Sequence, residues 1–105
     1  MSSSSGIDIT EKKPSVAKSC VIFDVKPMDE EVNLDEVAQK VFLIQPEGLL
    51  WKSDYQKVHI AYGIFKLVIT CIVEDDKVSV DEIIDRILEL EDEVQSVDIA
   101  AFQKI

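Results

Sequence analysis

The run IFKLVITCIVE (64–74) limits the fold more tightly than any other feature of the chain. It is nearly continuous in apolar residues and rich in β-branched ones. Such a run reads as a central strand covered on at least one face. A central strand needs a neighbour on each side and a covering layer, and the flanking sequence supplies both.

Upstream, SCVIFDVKP (19–27) alternates Val21, Phe23 and Val25 with Ile22, Asp24 and Lys26, the period-two pattern of a strand. Pro27 stops it, and MDEEVN forms an acidic turn. NLDEVAQKVFLI (33–44) then carries Leu34, Val37, Ala38 and Val41 at helical spacing. Asn33 is its expected N-cap, with Glu36 in the capping-box position. Pro46 and Gly48 break the helix. LLWKSDYQKVHIAY (49–62) reads as an irregular or bulged strand, with Val58, Ile60 and Tyr62 on one face and Gly63 ending it. After the central run, Ser79 and Glu82 propose a second capping box. Val80, Ile83, Ile84, Ile87 and Leu88 line one stripe of the helix that follows. VQSVDIAAFQKI (94–105) closes the chain as a strand, with Val97, Ile99 and Ala101 alternating.

The order β-α-β-β-α-β predicts an α+β fold, the ferredoxin-like plait. Its four antiparallel strands carry two helices on one face. The first and third strands are central, and the last lies at an edge. A chain of 105 residues with 47% hydrophobic content suits one such domain over 18–105. Residues 1–17 read as a disordered leader or an expression remnant.

Charge narrows the function. The net charge is −10, and residues 19–105 hold 19 of the 21 acidic groups but 8 of the 11 basic ones. Nucleic acid and anionic membranes are poor partners for that balance. No apolar stretch approaches the ~20 residues of a membrane span. Cys20 and Cys71 lie in apolar runs without a CxxC or metal-ligand spacing. They read as buried reduced thiols, which fits a cytoplasmic location.

Motifs for chemistry are sparse. His59 is the only histidine and reads as a surface or edge residue. VEDDKVSVDE lacks the glycine of a calcium loop, so no metal is expected. Phosphate loops and nucleophile elbows are missing, and no cofactor is expected. Ferredoxin-like acylphosphatases need a loop arginine, whereas Arg86, the only arginine, is mid-helix. Trp51 reads as core, and Tyr62, just before Gly63, is a candidate to project from a loop.

Several segments together carry a resemblance: KP-x-D (26–29), EGLLW (47–51), YGI (62–64), CIVEDDKVSVD (71–81) and EDEVQSVDIAAFQKI (91–105). Over about residues 18–105 the chain resembles the C-terminal guanine-nucleotide exchange domain of eukaryotic translation elongation factor 1-beta, with the elongation factor 1-delta domain close behind. The resemblance implies an exchange factor, not a bond-changing enzyme, that stimulates GDP release from the GTPase elongation factor 1-alpha. It implies the ferredoxin-like fold independently of the patterning. It assigns Phe102, Gln103 and Lys104 to the nucleotide-binding domain of the GTPase, near its magnesium and phosphates, with Lys104 displacing the ion. It assigns Tyr62 to the second domain of the GTPase. Full-length relatives join a gamma subunit through an N-terminal domain that this sequence lacks, which makes a fragment or a minimal form the expectation. Met28 stands where the family usually has tryptophan, Lys52 and Ala61 where it commonly has glycine, and Phe65 where it often has lysine. The alternative reading is a non-catalytic binding or dimerisation module of the same fold.

Overall fold

The computed structural model describes residues 17–105. The expected leader, apart from Ala17, lies outside the described residues. Ala17 itself is tied down, its carbonyl accepting the Asp75 N–H at 2.9 Å. The elements are β1 (Lys18–Pro27), α1 (Leu34–Phe42), β2 (Leu49–Ala61), β3 (Ile64–Glu74), α2 (Val80–Leu88) and β4 (Val94–Lys104). They form one antiparallel sheet in the order β2-β3-β1-β4, the ferredoxin-like arrangement. The two strands of strongest apolar alternation, β1 and β3, are central. β2 and β4 are the edges.

The core lies on one face. Val21, Phe23 and Val25 of β1 and Leu67, Ile69, Cys71 and Val73 of β3 are fully buried. They meet Val37, Ala38 and Val41 of α1 and Ile83 and Ile87 of α2. Trp51 joins them. Its ring lies 6.2 Å from those of Phe23 and Phe42, and its indole N–H donates to the Ile44 carbonyl. On the other face Ile22, Val68, Thr70 and Ile72 are half-buried under solvent, with the Lys66–Asp24 ion pair at 2.9 Å among them.

Local expectations met mixed outcomes. Asn33 caps α1, but its side chain accepts from the Asp35 N–H at 2.9 Å, not from Glu36 as a capping box requires. Ser79 occupies the N-cap of α2 with extended backbone, yet makes no side-chain cap bond. The capping box with Glu82 is therefore not formed. Ile83 and Ile87 form the buried stripe of α2, and Val80 and Ile84 flank it, while Leu88 falls on the exposed side. Cys71 is buried as expected; Cys20 is only half-buried on the open face. Burial, with a smaller effect of Cys20, pushes the Cys71 thiol up to about 12, so it is an inert packing group at neutral pH.

Candidate functional site

β4 decides where Lys104 goes. It pairs with β1 from Pro27↔Val94 to Ser19↔Lys104, and the Ile105 N–H donates to the Lys18 carbonyl at 3.1 Å. The strand is thus held to its last residues. The ion pairs among the described residues engage Lys40, Lys57, Lys66 and Lys77, not Lys104, which is exposed at the sheet edge.

The simple alternation expected for β4 does not hold. Phe23 pairs with Ile99 but Ile22 pairs with Ala101, so Ala100 is an extra residue in the ladder. This is a β-bulge. Residues directly opposite in an antiparallel pair share a face. Phe102 lies opposite Val21, and Lys104 opposite Ser19, so both stand on the helix side of the sheet. Gln103 lies opposite Cys20 and stands on the open side. Of the three residues grouped by the resemblance, two share a face and the third does not.

Tyr62 is at the other end. Ala61 pairs with Ile64, leaving Tyr62 and Gly63 as a two-residue hairpin loop. Gly63 has φ +67°, a left-handed conformation that glycine adopts without strain. Tyr62 is 98% exposed. A register shift at Ile60 breaks the single face expected for Val58, Ile60 and Tyr62. Ile60, Ala61 and Ile64 line a cavity of about 400 Å³ with Met28 and Lys66 beside the hairpin. His59 is exposed on this edge strand, its ring 5.2 Å from Phe65, and takes part in none of the ion pairs among the described residues.

Lys104 is level with Val73 through Ser19, whereas Tyr62 lies beyond Ile64. Nine residue steps at ~3.3 Å each separate those levels, about 30 Å. The two singled-out positions therefore occupy opposite ends of the sheet. Among the described residues no cluster of three or more His, Cys, Asp or Glu is placed to hold a metal ion. No helix among them is long and apolar enough to cross a membrane.

Sequence reasoning missed the bulge at Ala100: it placed Ile99 in a regular alternation with Val97 and Ala101, whereas the register puts Ile99 on the face of Phe102.

Comparison with known proteins gives a consistent result. The family model described as EF-1 guanine nucleotide exchange domain matches residues 20–105. Elongation factor 1-beta of Artemia salina is 52% identical over 99 residues, covering 93% of this chain and 47% of that protein. Elongation factor 1-beta of Saccharomyces cerevisiae is 54% identical over 93 residues, 89% of this chain and 44% of that protein. Elongation factor 1-delta of Xenopus laevis is 50% identical over 95 residues, 90% of this chain and 36% of that protein. The chain spans less than half the length of these relatives.

Proposed function

Because the chain belongs to the EF-1 guanine nucleotide exchange domain family, we propose that residues 18–105 are an exchange domain that accelerates GDP release from elongation factor 1-alpha in the cytoplasm. One observation carries the mechanism: β4 is hydrogen-bonded to its end, so Lys104 is presented at the rim from a fixed backbone. A guanine nucleotide is held by magnesium and a phosphate-binding loop of the GTPase. An ammonium entering that site repels the ion and competes for its acidic ligands. Lysine suits this as a compact charge on a flexible stem, and the paired strand lowers the ordering cost of delivering it. Phe102, on the same face, packs against the GTPase beside the lysine, and Gln103 contributes from the opposite face. Tyr62 anchors the second domain of the GTPase from the far hairpin. The magnesium belongs to the partner; this chain needs no cofactor of its own.

The test is release of fluorescent GDP from purified elongation factor 1-alpha in magnesium buffer, with and without this chain. A large acceleration is expected. Lys104→Ala is expected to remove most of it while leaving the circular dichroism and melting of the chain unchanged. A folded chain that does not accelerate release would overturn the exchange reading. Full stimulation by Lys104→Ala would overturn the lysine mechanism alone.

A further inference from the structure

The bulge in β4 has a chemical consequence beyond the placement of Lys104. Ile99 and Phe102 are three residues apart, and Ile99 and Lys104 five. On a regular strand both odd spacings place the side chains on opposite faces. Inserting Ala100 as an extra residue removes that opposition. Ile99 lies opposite Phe23, Phe102 opposite Val21 and Lys104 opposite Ser19, and all three β1 partners are fully buried on the helix side. Ile99, Phe102 and Lys104 therefore form one row on the helix-side rim of the edge strand. Their partners are buried, but the row is not: Ile99 is 45% exposed and Phe102 47%. Two large apolar groups thus lead along the outer strand to a lysine.

We infer that Ile99 is a further contact residue for the GTPase, an apolar anchor that seats β4 against the nucleotide-binding domain so that Lys104 enters at a fixed depth. This rests on the exchange reading above. The occupant is the same domain that Lys104 addresses, because the row is continuous with the lysine on one strand and one face. The surface it fits is an apolar patch on the GTPase next to its magnesium and phosphate site. Anchor and ammonium divide the work: Ile99 governs how tightly the factor docks, and Lys104 governs how fast nucleotide leaves once docked.

The experiment is the GDP-release rate as a function of factor concentration. Ile99→Asp is expected to raise the half-saturating concentration about tenfold or more, with the saturating rate within twofold of wild type. The neutral Ile99→Thr shifts it less, in the same direction. Leu50→Asp places the same charge on an exposed apolar position of the other edge strand, and its titration is expected to match wild type. Moving the ammonium to the open face with the double variant Gln103→Lys, Lys104→Gln is expected to reduce stimulation to the level of Lys104→Ala. Melting curves establish that each variant is folded; should Ile99→Asp not fold, Ile99→Thr carries the test. Wild-type stimulation together with an unchanged Ile99 titration overturns the inference alone, as does full activity of the moved lysine. No stimulation by wild type at any concentration overturns the exchange reading and takes this inference with it.

Discussion

The Asp35 carboxylate accepts a hydrogen bond from the Tyr55 hydroxyl at 2.7 Å and lies 3.4 Å from the Lys57 ammonium. Tyr55 also packs on Phe42, with ring centroids 5.9 Å apart, so it ties α1 to β2 just where β2 leaves the core for the exposed hairpin. The tyrosine bond, then Lys57, holds the Asp35 carboxyl below its ordinary range, and the same bond raises the Tyr55 hydroxyl. A carboxylate depressed in the folded state contributes stability above its unfolded value, and that contribution fades as pH falls through the folded value. Tyr55→Phe is expected to move the Asp35 titration up toward the ordinary carboxylate range, read by carboxyl carbon NMR. An unmoved midpoint would show that Lys57 alone sets it. None of this was legible in the sequence. Asp35 and Tyr55 are twenty positions apart, and only the α1–β2 packing brings them together. The burial of Trp51 and the exposure of Tyr62 were legible, because each sits beside a turn; His59 is exposed as expected, but because both faces of β2 leave the core there, not through alternation.

At the scale of elements, the two helices begin differently. Asn33 accepts a real N-cap bond, and Ser79 does not. Replacing an N-cap that bonds costs about 1 kcal/mol. Asn33→Ala is expected to lower stability in urea by about that amount, whereas Ser79→Ala is expected to cost no more than a few tenths. Equal losses would mean that Ser79 caps α2 in solution after all. Element type and order were readable because hydrophobic period and turn residues agree along the chain. The irregularity of β2 was readable too, since 49–62 reads as an irregular or bulged strand and its ladder shifts register twice; the bulge of β4 was not. A bulge depends on the register of two strands distant in sequence, and Ala100 between Ile99 and Ala101 looks like any strand residue. Lys52 belongs to one of the irregular stretches of β2. It falls in the stretch between Trp51 and Tyr55 where β2 gains residues over β3. Bulges recur next to functional positions because they re-aim side chains. Of the four register shifts in this sheet, those at Ile60 and Ala100 lie on the strands that lead to Tyr62 and Lys104, the two positions proposed to meet the GTPase, while those at Gln95 and between Trp51 and Tyr55 do not adjoin them.

Across the whole molecule, the sheet fixes a distance. Tyr62 and Lys104 stand about 30 Å apart along strands rising ~3.3 Å per residue, and hydrogen-bonded pairing through β3 and β1 connects them. If both ends engage one GTPase, their separation must match that between its two domains. The match can be tested by lengthening the hairpin. Two residues inserted between Lys57 and Val58, and two more between Lys66 and Leu67, keep the pairing Val58↔Lys66. They also keep every side chain on its face, because the period is two. Tyr62 would then move outward by about 7 Å, while Lys104 stays where it is. On β2 the insertion lies where the strand is already exposed, and on β3 it falls on the hairpin side of the buried Leu67, so the core is spared while the Lys66–Asp24 ion pair is given up. Loss of an exposed interface tyrosine weakens binding by about 2 kcal/mol where it is a hot spot, roughly 30-fold. The lengthened chain is expected to match Tyr62→Ala, with half-saturating concentration up by that order and the saturating GDP-release rate retained. Adding Tyr62→Ala to the lengthened chain should then change little, since the contact is already out of reach. A lengthened chain that titrates like wild type, in a protein where Tyr62→Ala is impaired, would mean that the hairpin bends to find its partner. The sheet would then be a tether between two contacts, and the strand lengths would not measure the partner.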